Sequence, residues 1–250
     1  MTEHVAVTDN GAVRTIRMCR ADKKNALTQA MYTAMAEAIA KADADAAIRC
    51  VVIAGAPGAF TAGNDMEDFL KASDSDGHPI AKALDFLRAL ARGRKPVVAA
   101  VDGLAIGIGT TMLFHCDYVV ASTEAKFLTP FIQLGLVPEG ASSLLAPRLI
   151  GHQRAFALLV MGKPLDAAAA HGAGLVNALA PPGQADAEAA AAAAAISALP
   201  PEAVAMARGL IRPPADEVVR RIDDEAELFA IRMRSPEAKA AFTSFLARRK

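Results

Sequence analysis

The chain has 250 residues, 53% of them apolar, with 27 basic side chains balancing 27 acidic ones. That length accommodates one large domain with a substantial core, or one domain with a short appendage. The zero net charge excludes a global field that would recruit nucleic acid, an anionic membrane or another polyanion, so an anionic ligand has to be met by a local cluster.

In chain order, Val5 to Thr8 and Ala12 to Met18 alternate apolar and polar side chains around Asn10-Gly11, which predicts a β-hairpin. From Thr28 to about Asp43, Met31, Met35, Ala38, Ile39 and Ala42 recur at helical spacing. Cys50 to Ala54 reads as a short buried strand, a helix follows from about Ile80 to Ala91, and Val97 to Val101 is a further strand. Strand, helix and strand in turn imply βαβ units and a largely parallel sheet. A third cycle runs through a short helix near Ile108 to Phe114, the strand Tyr118 to Ala121, the segment Phe127 to Pro138 and a helix opening at Glu139. Helices at about Gln153 to Met161 and Asp166 to His171 precede a strand at Leu175 to Leu179, and Pro181-Pro182-Gly183 reads as a hinge. Beyond it the alanine tract Ala187 to Ala195 and the segments from Glu202 and Asp216 are helical without strands. The organisation expected is therefore a core over residues 1–185 and a helical appendage over 186–250 that packs on another subunit.

Cys19, Cys50 and Cys116 sit in apolar runs without CxxC spacing and read as buried reduced thiols of a cytoplasmic protein, with neither a disulfide framework nor a zinc site. The N-terminus lacks a basic segment followed by an apolar one, and the alanine tract is too weakly hydrophobic to be a membrane span. The closing Ala-Arg-Arg-Lys is not a peroxisomal Ser-Lys-Leu address.

Two loops carry the chemistry. In Ala62-Gly63-Asn64-Asp65 the glycine allows close backbone approach, and Asn64 and Asp65 open a helix whose first N–H groups have no intrahelical partner. Those donors serve a ligand oxygen, or Asp65 caps the helix in the ordinary way. Gly103, Gly107 and Gly109 pose the same choice between free donors and tight helix–sheet packing. They do not match GxGxxG, and Lys163 is followed by Pro164 rather than Ser or Thr, so neither dinucleotide nor P-loop binding is supported. Two free N–H groups aimed at one point hold an oxyanion, which suggests enolate chemistry.

The ordered segments Asn25-Ala-Leu, Ala59-Phe-Thr-Ala-Gly-Asn-Asp, Lys95-Pro-Val-Val-Ala-Ala-Val-Asp-Gly-Leu-Ala-Ile-Gly, Cys116-Asp117 and Leu134-Gly-Leu-Val-Pro resemble the successive motifs of the crotonase, or enoyl-CoA hydratase/isomerase, superfamily. The resemblance implies an α/β fold with a β-β-α spiral core and a helical C-terminal region used for trimerisation. It also implies a homo-oligomer, trimer or dimer of trimers, and an acyl-CoA of fatty acid metabolism as substrate. Coenzyme A then belongs to the substrate, and no separate cofactor or metal is implied. Carried over by position, the oxyanion donors are the backbone N–H groups of Asn64 and Ile108, so the backbone path there matters more than the side chains. Lys23, Ala26, Ala62, Gly63, Asp65, Met66, Gly107, Thr111 and Phe131 fall at positions that line the substrate; for Lys23 and Lys24 a solvated basic pair is the plainer reading.

Hydratases of the superfamily use two glutamates to position and activate water, and those positions here hold Thr111 and Phe131. A threonine hydroxyl has no useful basicity near neutral pH and phenylalanine transfers no proton, so ordinary hydration is disfavoured. Glu139 remains. Pro138 fits the first turn of a helix, where an acidic residue gains roughly 0.3–1 kcal/mol from the exposed N–H groups. By resemblance, Gly-Leu-Val-Pro-Glu-Gly with Ala-Gly-Asn-Asp is similar to the Δ3,Δ2-enoyl-CoA isomerase branch, whose catalytic glutamate stands at Glu139. The expected reaction is isomerisation of 3-enoyl-CoA to 2-enoyl-CoA. The alternatives are a hydratase-like, hydrolase-like or lyase reaction on another acyl-CoA, and a non-catalytic acyl-CoA binder. Glu67, Asp68, Asp117, His115, His78 and the terminal Arg248, Arg249 and Lys250 are weaker candidates, with solvated or structural roles the simpler reading.

Overall fold

A computed structural model describes residues 2–56, 58–67 and 80–247, with side-chain environments up to residue 244. Asp68, His78, Arg248, Arg249 and Lys250 therefore lie outside the described residues. Strands β1 (Val5–Asn10) and β2 (Val13–Met18) form the expected hairpin, with Asn10 opposite Val13 and a two-residue loop of Gly11 and Ala12. Gly11 holds φ 57°, a left-handed conformation that favours glycine at this position.

Helix α1 (Gln29–Ala44) starts where Thr28 Oγ1 accepts the Met31 N–H at 3.3 Å, and it buries the predicted stripe of Met31, Met35, Ala38, Ile39 and Ala42 together with Tyr32. It packs on α2 (Ala81–Arg92), which is stopped at Gly93 ahead of Pro96. Behind this pair stand β3 (Cys50–Ala54), β5 (Val97–Val101), β7 (Tyr118–Ser122) and β10 (Ala178–Ala180). With the hairpin they make a six-stranded sheet in the order β1-β2-β3-β5-β7-β10, parallel throughout except for β1 against β2. Burial on both faces explains why the central strands read as continuous apolar runs.

A second sheet, in the order β4-β6-β8-β9, consists of β4 (Ala59–Thr61), β6 (Leu104–Ile106), β8 (Lys126–Leu128) and β9 (Leu165–Asp166). Each of β3, β5 and β7 is followed by a short strand in this second sheet, so the chain climbs as a repeated β-β unit. The corner between the sheets is tight: a Cβ on Gly55 would lie 2.5 Å from the Phe60 carbonyl oxygen, and one on Gly103 would lie 2.0 Å from that of Gly58. These glycines are required by close backbone approach. The β-β-α spiral expected from the sequence is present.

The second half adds α3 (Ile108–Thr111), which continues as a 3-10 turn over Met112–His115, then α4 (Ser142–Ile150), α5 (His152–Leu159) and α6 (Ala167–Ala173). Residues 185–247 carry four helices and no strand: α7 (Ala185–Ser197), α8 (Pro201–Ile211), α9 (Ala215–Met233) and α10 (Pro236–Ala247). Helix α7 uses its alanines at four-residue spacing, Ala185, Ala189 and Ala193, to pack against Val52, Val98, Ala100 and Val120 on the outer sheet face. Small side chains let the helix approach that face closely. Among the described residues no single helix is long and apolar enough to cross a membrane. Of the cysteines, Cys50 is buried and Cys116 half-buried, but Cys19 is exposed, so the expectation of three buried thiols fails there. The exposed Cys19 follows the last residue of β2, on the opposite face from the buried Ile16 and Met18.

Helix α8 is anchored by an ion pair. Arg208 Nε lies 2.8 Å from Asp117 Oδ2, Arg208 Nη1 donates to the Gly93 carbonyl at 2.6 Å, and Asp117 Oδ2 accepts the Val97 N–H at 2.8 Å. Removing one partner of such a buried pair leaves the other charge uncompensated. Arg208→Ala is expected to lower the unfolding free energy by about 3–5 kcal/mol in denaturant titration, and Arg208→Lys to recover little because one ammonium cannot serve both acceptors. A loss under about 1 kcal/mol for Arg208→Ala would place the anchor elsewhere.

Candidate active site

The loops that leave the second sheet after β4, β6 and β8 carry Asn64, Ile108 and Glu139 respectively. Gly63, at φ 85°, sits against the second of these loops, since a Cβ there would lie 2.8 Å from the Ile106 carbonyl oxygen and 4.0 Å from the Gly107 nitrogen. A parallel bridge to Leu27 sets the direction of Asn64. Leu27 N–H donates to the Gly63 carbonyl at 2.8 Å and Asp65 N–H to the Leu27 carbonyl at 2.9 Å, which turns the Asn64 N–H to the other side. Gly107, at φ 58°, donates its own N–H to the Leu128 carbonyl at 2.8 Å and opens α3 at Ile108. The Ile108 N–H stands in the first turn, where α3 supplies no acceptor. The two N–H groups donate to no acceptor among the described residues.

The Asn64 side chain faces away from that role: its Oδ1 accepts the hydroxyl of the buried Tyr32 at 2.5 Å. Asp65 pairs with Arg20 Nη1 at 2.6 Å and accepts the Glu67 N–H at 3.0 Å, so it does cap the helical residues that follow. The choice between a cap and free donors is thus resolved in favour of both, on adjacent residues. Gly109 packs against Thr61, whose Cγ2 would lie 2.5 Å from an added Cβ, and Gly103 at the strand corner likewise serves packing.

Thr111, three residues into α3, is fully buried and donates its hydroxyl to Glu139 Oε1 at 2.5 Å. Gly140 is close as well, its added Cβ falling 3.4 Å from Thr111 Oγ1. Glu139 is 4% exposed, and burial pushes its carboxyl up to about 8; the Thr111 bond pulls the other way, and the Glu225 carboxylate adds repulsion. The helix expected to open at Glu139 opens instead at Ser142, after two left-handed residues, Gly140 at φ 72° and Ala141 at φ 56°. Glu139 therefore draws no benefit from the helix N-terminus, and Pro138 is not its first residue. That position is served from a distance by Glu225 of α9, whose Oε1 accepts the Ser143 N–H at 2.9 Å and the Ser143 hydroxyl at 2.5 Å.

Ala62 donates its N–H to the Lys24 carbonyl at 2.9 Å and the Ala26 carbonyl accepts Arg20 Nη1 at 2.9 Å, so the segment from Arg20 to Ala26 runs beside the Asn64 loop. Lys23 is exposed on the 3-10 turn Ala21–Lys23, and Met66 is partly buried against the main core. Phe131 is 5% exposed within that core and lies ahead of the 3-10 turn Ile132–Leu134. Two participants escaped the sequence reading. Tyr32 is next to the apolar stripe of α1 but is not one of the residues read into it, and Glu225 is 86 residues from Glu139 along the chain, beyond any spacing rule. His115, a weaker candidate in the sequence, finds its partner in the Gly140 backbone carbonyl.

A buried carboxyl that binds its proton tightly, and two N–H groups with no acceptor among the described residues, thus stand on segments that leave neighbouring strands of the second sheet. The enoyl-CoA hydratase/isomerase family model matches residues 8–250. The chain is 33% identical to enoyl-CoA delta isomerase 2 of Rattus norvegicus over 98% of its own length and 64% of that protein's, so it spans under two thirds of that relative. It is 32% identical to a probable enoyl-CoA hydratase of Rhizobium meliloti, over 99% of this chain and 96% of the relative. The structure of Pseudomonas aeruginosa OdaA superposes with a TM-score of 0.91 at 42% identity, covering 98% of this chain and 99% of that one. The chain belongs to the enoyl-CoA hydratase/isomerase family, whose members act on acyl-CoA substrates.

The Glu139 carboxyl binds a proton more tightly in the folded chain than the ordinary value of 4.5. Its contribution to stability is thus complete below about pH 4.5 and is lost as pH rises through about 8. Glutamine has no such titration. Glu139→Gln is expected to gain stability over the parent progressively between those values, by a few kcal/mol at most, given about 1.4 kcal/mol per pKa unit. Paired thermal melts from pH 5 to 9 check this, and a difference independent of pH would remove the desolvated carboxyl from the account.

Proposed function

We propose that this enzyme isomerises 3-enoyl-CoA to conjugated 2-enoyl-CoA, with Glu139 as the only proton carrier. The observation that carries the reading is the isolation of the Glu139 carboxyl among the described residues. Thr111 touches it, Phe131 is apolar, and the other carboxyl that acts on it, Glu225, is already engaged by Ser143. A single carboxyl suits a proton shift better than the addition of water, which calls for one group to activate water and another to place a proton.

In this mechanism the thioester oxygen lies between the Asn64 and Ile108 N–H groups. Glu139 as carboxylate removes a proton from C2, the electron pair delocalises into a dienolate, and the charge on oxygen is met by the two donors. The protonated Glu139 then delivers the same proton to C4, which leaves the double bond between C2 and C3. Desolvation makes Glu139 a stronger base once ionised, and a value near 8 suits it both to take and to return the proton near neutral pH. Losing one oxyanion donor costs about 2.7–4 kcal/mol in comparable sites. The resemblance to enoyl-CoA delta isomerase 2 supports the reading; the similarity to a probable hydratase makes hydration of 2-enoyl-CoA the arm to run beside it.

Glu139→Gln is expected to lower formation of 2-enoyl-CoA, followed by ultraviolet absorbance, by about 10³-fold while the fold persists. In the parent, kcat/KM should rise with pH through an apparent value near 8 as the carboxylate forms. Near-parental turnover in Glu139→Gln, or 3-hydroxyacyl-CoA as the main product, would refute the reading.

We further propose that the chain assembles as a homo-oligomer through the face of α8 where Met206, Leu210 and Ile211 are 70%, 87% and 83% exposed. These residues lie at four- and five-residue spacing and present apolar surface that a second copy can cover. Light scattering should give a mass of several chains, and Leu210→Glu with Ile211→Glu should reduce it. A monomeric parent would contradict the assembly.

A further inference from the structure

We propose that His115 is a positioning residue for Glu139, fixing the Glu139-Gly140-Ala141 turn through a hydrogen bond from its Nε2–H to the Gly140 carbonyl. The proposal rests on the reading of Glu139 as the base. His115 is 1% exposed, and its Nε2 lies 2.7 Å from the Gly140 oxygen. A carbonyl only accepts, so the ring must carry its proton on Nε2 and leave Nδ1 bare. Nδ1 is buried with no hydrogen-bond partner among the described residues, which leaves the imidazole committed to this one contact. Burial pushes the ring down to about 4, so it remains the neutral donor across the range in which Glu139 titrates.

The turn depends on an outside anchor because its local conformation is unfavourable. Gly140 and Ala141 are both left-handed, and for alanine that conformation crowds Cβ against the backbone. Helix α4 does not satisfy the Gly140 carbonyl either. Ser142 N–H donates to the Glu139 carbonyl at 3.2 Å, while Leu144 and Leu145 N–H donate to that of Ala141 at 3.0 and 2.9 Å. The Gly140–Ala141 peptide is thus held at both ends, its carbonyl by His115 and its N–H by the Glu225 carboxylate. Four residues earlier on the same continuous helical run, Thr111 holds the Glu139 carboxyl itself. One short segment therefore grips Glu139 at its head and, through the next peptide, at its backbone. On the far side Glu225, with Arg221 Nη1 3.1 Å from Ser143 Oγ, fixes the start of α4. Without the His115 bond the Gly140 carbonyl loses its partner, and the peptide next to Glu139 is held only through the Ala141 N–H on Glu225.

The test compares His115→Leu, which removes the donor at similar bulk, with His115→Gln, whose amide nitrogen reaches to the place of Nε2. Turnover of 3-enoyl-CoA should fall about 10²-fold in His115→Leu through kcat, with KM little changed, as for a small misplacement of a reacting group. His115→Gln should recover most of it. A second readout uses no substrate: the Glu139 carboxyl titration followed by 13C NMR with labelled glutamate, assigned through Glu139→Gln. Its midpoint should move away from the parental value in His115→Leu and return in His115→Gln, Glu225 and Arg221 being the charged groups of α9 that face the turn in all variants. If His115→Leu does not fold, His115→Asn, polar but too short to reach the carbonyl, replaces it. Unchanged kcat and an unchanged midpoint in the donor-less variant overturn the proposal, as does a His115→Gln no better than His115→Leu. A parent without isomerase activity whose Glu139 midpoint still shifts in His115→Leu would refute the isomerase reading and uphold the positioning role.

Discussion

The hydrogen bond between the Thr111 hydroxyl and the Glu139 carboxyl is the contact on which the site depends. It joins a side chain from α3, which follows β6, to one from the loop after β8, and both side chains are buried. A carboxyl placed there has lost most of its hydration, and one neutral hydroxyl replaces only part of what was lost. The result is a base poised well above the ordinary carboxylate range. A fold that left Glu139 at a helix N-terminus, stabilised as an anion, would have made it a weaker base.

The spiral makes this placement a matter of topology. Successive β-β units deliver the loops after β4, β6 and β8 to one side of the second sheet, in the same order as Asn64, Ile108 and Glu139. Glycines at the corners, Gly55 and Gly103, let the backbones meet at distances no side chain would permit. Gly63 then brings the Asn64 loop against Ile106, just ahead of Ile108, and neither sheet nor helix uses the N–H groups of Asn64 and Ile108. The donors cost no side-chain ordering, because they are consequences of where two secondary-structure elements begin. The charged network of Glu225, Ser143 and Arg221 belongs to the same logic, since it settles the N-terminus of α4 from α9 and leaves Glu139 outside it.

Much of this was legible along the chain because it is encoded locally. Gly63-Asn64 and Gly107-Ile108 sit at strand-to-helix junctions, and the periodicity of Met31, Met35 and Ile39 or the apolar run at Val97 follows directly from which surfaces are covered. Glu139 was found by the ordered motifs around it, yet its surroundings were misjudged. Pro138 ahead of an acidic residue has the composition of a helix start, whereas the left-handed Gly140 and Ala141 delay the helix to Ser142. Nothing local marks alanine as left-handed; that conformation is held by tertiary contacts. Glu225, Tyr32 and His115 reached the site by long-range packing, which leaves no periodic trace. Cys19 failed for a related reason: an apolar neighbourhood in sequence does not make the end of a strand interior.

Transfer of a proton from C2 to C4 by one buried carboxyl is detected by following a deuterium label placed at C2 of a 3-enoyl-CoA through a single turnover in ordinary water, with the product analysed by NMR. Because Glu139 is only 4% exposed, exchange with solvent competes poorly, and label is expected at C4 of the 2-enoyl-CoA in excess of chance. Hydrogen at C4 derived wholly from solvent, or a 3-hydroxyacyl-CoA product, would contradict it.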